Sequence, residues 1–222
     1  MSVTLTVWLF IIFIVVSYLL GSISPAIFLS KKIYGIDIRE YGSKNPGANN
    51  VQRVMGWHMG LAVFVIDLLK GTAACCLVYF LPLLKDAPNL FVCAQIVFGF
   101  AAVAGHIFPL YHHFRGGKGV STFCGALLAI HPGAVLICTV IFLIVLYFTR
   151  YISISVIAAV TCFPLLVNLL FALWLDPQET WALRIFSMVC GVTIWLTHIS
   201  NLKRLYHGTE EKFKIRRPVH KI

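Results

Sequence analysis

The sequence predicts an all-α fold, a polytopic integral membrane helical bundle, and three observations carry that reading. Of its 222 residues, 59% are hydrophobic and only 12% are charged. Apolar stretches close to the roughly 20 residues that span a bilayer recur along the whole chain. Backbone polar groups in lipid must be satisfied within the segment that carries them, so these stretches are read as helices. No room is left for a separate soluble domain. Residues 1–222 are therefore taken as a single membrane-embedded domain, with cytoplasmic loops at 31–56 and 112–121 and a basic C-terminal tail at 203–222. The seven cysteines (75, 76, 93, 124, 138, 162 and 190) all fall in apolar runs, without CxxC spacing or clustered histidines, the pattern of core or lipid-facing side chains.

The first apolar run, 5–29, is too long for a cleaved signal peptide and lacks both a basic start and a small-residue cleavage site. Gly21, Ser22, Ser24 and Pro25 allow a kink and close helix packing near its cytoplasmic end. A polar segment follows at 39–53, REYGSKNPGANNVQR. Gly42 and Gly47 let the backbone approach a ligand, Pro46 stiffens the turn, and Ser43, Asn45, Asn49 and Asn50 supply neutral donors. With Arg39 and Arg53 at its ends, the segment suits a phosphate or another oxyanion.

The second run, 60–84, places Asp67 and Lys70 on one helical face. Charges inside a span are costly, so the two pair or face a polar cavity, and a structural pair and a site-supporting pair fit equally well. The third run, 89–111, leads into FRGGKGV at 114–120. There Gly116, Gly117 and Gly119 surround Lys118 at the start of a helix, which would bring bare N–H groups, the helix dipole and an ammonium together. A Walker A loop is excluded, because His112 stands where that motif needs its first glycine.

Charge asymmetry sets the topology. Lys and Arg number five in 31–56, two in 112–121, one at Arg150 and seven after 202, whereas the N-terminus and 175–180 carry none and 83–89 only Lys85. The basic segments are assigned to the cytoplasm, the N-terminus to the outside and the C-terminus to the cytoplasm. A single crossing over 121–149 would reverse the tail, so the break at His131, Pro132 and Gly133 divides that run into a short helix and a second crossing. About seven transmembrane segments result. Arg150, Ser153 and Ser155 open the sixth, and His198, Asn201 and Arg204 share one face at the cytoplasmic end of the seventh. Ser43, Arg53, Lys118, Ser153, His198 and Asn201 then make a set fit to hold two phosphate groups beside a lipid-accessible cleft.

In family order across nearly the whole chain, DIREYGSKNPGANNVQRVMG, DLLKG, AGHIFP, FRGGKGV, RYIS and HISNLKRLYHGTEEK resemble the bacterial acyl-phosphate:glycerol-3-phosphate acyltransferase family, the PlsY type. Asn49 departs from the family's more usual threonine but keeps a polar donor. The resemblance implies a seven-helix inner-membrane enzyme whose site faces the cytoplasm. Its reaction would move a fatty acyl group from acyl phosphate to the 1-hydroxyl of glycerol 3-phosphate, giving lysophosphatidic acid and phosphate, the first step of phospholipid biosynthesis. By the same resemblance Ser43, Arg53, Lys118, Ser153, His198 and Asn201 contact glycerol 3-phosphate, and residues 42–50, with Gly42, Asn45, Gly47 and Asn50, hold the acyl phosphate group. Lys118, His198 and Asn201 are the catalytic candidates, and Gly116, Gly117 and Gly119 complete the second loop.

An acyl phosphate has a good leaving group, so no covalent enzyme intermediate is demanded. The attacking hydroxyl must still lose a proton, either to His198 or to a substrate phosphate, whose second pKa is about 6. No histidine is followed five positions later by Asp, which removes the HxxxxD arrangement of acyl-CoA and acyl-carrier-protein acyltransferases. The acids number eight, and only Asp37 and Glu40 lie near a glycine loop in sequence, so no metal and no cofactor are expected. Expected partners are the two substrates and the lipid bilayer, with no nucleic acid, and the chain is expected to act as a monomer. The rival class is a transporter of phosphate or an organic anion. Against it, the sequence shows no internal repeat and the anion groups gather on one membrane face. A noncatalytic scaffold would leave the two glycine loops without a purpose, and the tail is expected to bind anionic headgroups.

Overall fold

The structure, a computed structural model, describes residues 2–169 and 177–215. The end of the basic tail, 216–222, and the first part of the connection at 175–180 lie outside these residues. Among the described residues there are nine α-helices and short 3-10 turns: α1 Val3–Ser22, α2 Pro25–Tyr34, α3 Ala48–Met55, α4 Trp57–Cys76, α5 Pro88–Ile107, α6 Val120–Ile130, α7 Pro132–Thr149, α8 Ile152–Leu169 and α9 Pro177–Tyr206. Five helical stretches are long and apolar enough to cross a membrane, and Val120–Ile130 and Ile152–Asn168 are shorter apolar helices.

The first apolar run is not one helix. Ile23 is extended, Ser24 caps α2 through its Oγ, and Pro25 sits at the first helical position, where a missing N–H does no harm. The second break falls at the His-Pro-Gly sequence: α6 stops at Ile130, the Nδ1 of His131 accepts the N–H of Ala134 at 3.1 Å, and Pro132 opens α7.

Two helix crossings are closed by reciprocal glycines. Where α1 meets α5, Gly21 abuts the backbone of Ala102 while Gly105 abuts that of Tyr18 and Gly21. Where α4 meets α6, Gly71 abuts the Thr122 carbonyl and Gly125 the Leu68 carbonyl, so a side chain at any of the four would overlap backbone. Lipid supplies little hydrophobic drive between helices, and such close backbone approach lets dispersion replace it. The largest apolar core lies between α5, α6, α8 and α9, around Phe123, Phe163 and Phe186. α6 packs along α4 and α7 along α8, while the contact between α6 and α7 is much sparser. That leaves a wedge flanked by α7, whose Leu136, Tyr147 and Phe148 are exposed, as on a lipid-facing helix.

Candidate active site

The segment 36–47 is folded by its own polar side chains. Asp37 accepts from the N–H and guanidinium of Arg39, and these hydrogen bonds hold its carboxyl well below the usual carboxylate range. Asn50 is only 1% exposed, and its amide serves the loop: Oδ1 accepts the N–H of Ser43 at 2.8 Å, and Nδ2 donates to the carbonyls of Ile38 and Tyr41. Gly42 has a left-handed backbone (φ 57°) with Asn50 Oδ1 pressed against it, so it shapes the turn and does not line the cavity below.

The second loop differs from the expected nest of bare N–H groups. Gly116 donates to the carbonyl of Ile107 at 3.1 Å and Gly117 to that of His106 at 3.0 Å, which satisfies carbonyls at the C-terminal end of α5. The loop is thereby folded flat on α5, where a Cβ on Gly116 would collide with the His106 carbonyl and one on Gly117 with the His106 ring. Gly119 (φ 81°) turns the chain into α6, so the first-turn N–H groups and the positive end of the helix dipole come directly after Lys118 in the chain.

Lys118, Ser153 and Asn201 meet in one hydrogen-bonded cluster. The Nζ of Lys118 donates to Asn201 Oδ1, and Asn201 Nδ2 donates to Ser153 Oγ at 2.6 Å and to Glu210 Oε1 at 2.9 Å. Ser153 Oγ donates to the same carboxylate oxygen at 2.7 Å, and Arg204 Nε donates to the other at 2.7 Å. Burial pushes the Lys118 ammonium down to about 8, with Arg204 adding to the shift and Glu210 opposing it. One turn earlier on α9, His198 Nδ1 lies 2.8 Å from the Ile194 carbonyl; as the donor in that bond it makes Nε2 the accepting nitrogen of the neutral ring.

A cavity of about 830 Å³ opens at this cluster. Ser43, Asn45, Lys118, Ser153, His198 and Asn201 form its polar end; Gly47, Asn50 and Gly119 also line it, and apolar side chains of α4, α6, α7 and α8 form most of the rest. A second, open cleft of about 390 Å³ adjoins it. It shares Ser43, Asn45, Lys118 and Asn201 with the cavity and adds Lys44, Arg115, Gly116, Gly117 and Arg204. Arg53 stands apart from both: its Nε lies 3.2 Å from Glu211 Oε2, and it lines a small neighbouring recess with Glu210 and Glu211.

Glu210 and Glu211, distant from both glycine loops in sequence, bring two further acids to Ser153, Asn201 and Arg53. The tail after α9 folds back, with Phe213 N–H donating to the Arg150 carbonyl at 2.6 Å and Gln52 Nε2 donating to the Lys214 carbonyl at 2.6 Å. Two adjacent acids in an otherwise basic tail were the available signal.

A model of the glycerol-3-phosphate acyltransferase family matches residues 11–208. The chain belongs to that family. This acyltransferase is 39% identical to the glycerol-3-phosphate acyltransferase of Chlorobaculum tepidum, over 94% of this chain and 98% of that protein. It is 36% identical to that of Fusobacterium nucleatum, over 92% and 98%. Among solved structures it resembles the crystal structure of PlsY (YgiH), an integral membrane glycerol 3-phosphate acyltransferase, in its glycerol 3-phosphate form. That likeness has a TM-score of 0.80 at 30% identity and covers 92% of this chain and 96% of that one. The lysophosphatidic acid form of the same protein gives a TM-score of 0.77, also at 30% identity, over 93% and 96%.

In this acyltransferase the intramembrane pair is both structural and next to the site. Lys70 Nζ lies 2.7 Å from Asp67 Oδ1 and donates to the Ile23 carbonyl at 2.7 Å, which ties α4 to the break between α1 and α2. His106 Nδ1 lies 3.3 Å from Asp67 Oδ1 and 3.1 Å from Thr122 Oγ1, and Asp67 and His106 both reach the wall of the large cavity. The network therefore holds the end of α5 on which the Gly116–Gly117 loop rests. Sequence spacing showed only the Asp67–Lys70 half, because His106 and Thr122 come from other helices.

Proposed function

We propose that this glycerol-3-phosphate acyltransferase takes its acyl group from acyl phosphate and works on the cytoplasmic face of the bacterial inner membrane. The observation that carries the reading is the junction of the polar cleft with the apolar cavity. Both substrates bear phosphate, and the cleft and the cavity mouth share Lys118 and Asn201 while the apolar cavity continues from them. In the reaction the 1-hydroxyl oxygen of glycerol 3-phosphate attacks the acyl carbonyl carbon, and the bond from that carbon to the phosphate oxygen breaks. Lysophosphatidic acid and inorganic phosphate leave.

Lys118 and the first-turn N–H groups of α6 neutralise charge on the carbonyl oxygen or the departing phosphate. His198 Nε2 is the side-chain acceptor for the hydroxyl proton, and the departing phosphate, with a second pKa of about 6, is the other acceptor at hand. Ser43, Ser153 and Asn201 orient glycerol 3-phosphate, with Arg53 joining them only on giving up Glu211, and the 42–50 loop, with the Gly116, Gly117 and Gly119 loop opposite, holds the acyl phosphate. The cytoplasmic assignment is supported by the basic segments 31–56, 112–121, Arg150 and the tail, whose described parts meet at one end of the bundle. The chain is taken as one seven-span domain, acting as a monomer with its N-terminus outside.

The test is acyl transfer by the purified protein in lipid or detergent, with labelled glycerol 3-phosphate and acyl phosphate, acyl-CoA or acyl carrier protein as separate donors. Product from acyl phosphate alone, lost in Lys118→Ala and His198→Ala, is the expected result. Product from acyl-CoA or acyl carrier protein instead would overturn the donor assignment.

A further inference from the structure

We infer that the far end of the large cavity selects acyl-chain length and that Phe163 is its floor. This inference rests on the reading of the cavity as the seat of the acyl chain. Along α8 the cavity is followed by Ser153, Val156, Val160 and Phe163, at spacings of three and four that keep one helical face turned to it. At about 1.5 Å per residue, Ser153 and Phe163 stand about 15 Å apart along the helix. That is half the roughly 30 Å hydrocarbon thickness, the depth that one leaflet gives to its own acyl chains. On the antiparallel α7 the lining runs from Leu146 to Val135, a matching depth.

Among the described residues the cavity has no α8 wall past Phe163, and Val167, the next residue on that face, is fully buried in the core. The Phe163 ring is itself fixed. It is 1% exposed, its centroid lies 6.0 Å from that of Phe123 in an edge-on contact, and Phe123 in turn meets Phe186 at 5.5 Å. A floor backed by two further rings cannot swing aside for an extra methylene without disturbing the core. Ala159, a buried alanine on the same wall and one turn nearer the mouth, leaves room where a larger side chain would shorten the cavity by about 6 Å.

The experiment offers the protein an equimolar series of saturated acyl phosphates from twelve to eighteen carbons and reads the lysophosphatidic acids by mass spectrometry. The wild type is expected to show a sharp upper limit, since one methylene too many in an apolar pocket changes kcat/KM by about 10-fold or more. Phe163→Ala should move the limit to longer chains and Ala159→Phe to shorter ones, each changing the long-to-short product ratio at least about 10-fold. Active variants with the wild-type length profile would overturn the inference while leaving acyl phosphate as donor, because the chain end would then leave sideways between α6 and α7. Should Phe163→Ala fail to fold, Ala159→Phe decides alone: an unshifted profile overturns the floor. A wild type that uses no acyl phosphate at all overturns both the inference and the reading beneath it.

Discussion

The Oγ of Ser153 donates a 2.7 Å hydrogen bond to Glu210 Oε1, joining the start of α8 to a carboxylate 57 residues later in the chain. Glu210 is 9% exposed and also takes hydrogen bonds from Asn201 and Arg204, so the folded tail becomes part of the wall behind the site. Glu210→Ala removes the acceptor of all three donors. It should cost about 2–3 kcal/mol, toward the low end for a broken ion pair because a third of the Arg204 side chain meets solvent. A thermal melt in detergent reads this as a lowered Tm; an unchanged Tm would mean that the carboxylate adds nothing.

The same contact sets an acid limit. Burial works against ionisation of Glu210, but hydrogen bonds from Ser153 and Arg204 outweigh it and lower its carboxyl below the ordinary value. A depressed carboxyl stabilises the fold above its unfolded pKa, and that contribution disappears as pH falls through the folded value. The Tm of the wild type should therefore drop faster toward acid than that of Glu210→Gln. Parallel slopes would sink this assignment.

Lys118 should titrate in the activity profile. With the ammonium lowered to about 8, kcat/KM for glycerol 3-phosphate should fall as pH rises through that value. Lys118→Arg should lack this limb, whatever its absolute rate, because guanidinium stays charged. For stability the sign is opposite: a depressed lysine costs the folded state below about 8, and the cost is relieved above it. Lys118→Met should thus melt no lower than the wild type at neutral pH, while losing about 100- to 1,000-fold in kcat.

At the α4–α6 crossing, Gly125→Ala should lower stability by about 1–3 kcal/mol or more, since its Cβ would overlap the Leu68 carbonyl. Gly133→Ala is the control. Its Cβ meets only the His131 ring, at 3.4 Å and beyond, and its melt should stay close to that of the wild type.

Asp67→Ala leaves the Lys70 ammonium, whose side chain is 6% exposed, without its carboxylate and should cost about 3–5 kcal/mol. Adding Lys70→Leu should recover part of that loss, because no buried charge then remains unpaired. If the double variant melts no higher than Asp67→Ala, the pair is not the source of the stability.

What the sequence determined by itself was whatever the bilayer demands of each segment separately. Run length and composition marked the helices, Pro132 marked the break after Ile130, and the spacing of His198, Asn201 and Arg204 placed three polar groups on one face. Each of these follows from a local rule: backbone groups in lipid must be satisfied within their own helix. Tertiary structure decided the meetings between segments. The Gly116 and Gly117 N–H groups go to α5 carbonyls, Asn50 is committed to its own loop, His106 and Thr122 complete the Asp67 pair, and Glu210 returns from an aperiodic tail to Ser153. No period or propensity encodes these contacts, because they depend on how closely the helices can approach, and here that distance is set by Gly21, Gly71, Gly105 and Gly125 pressed against backbone from another helix.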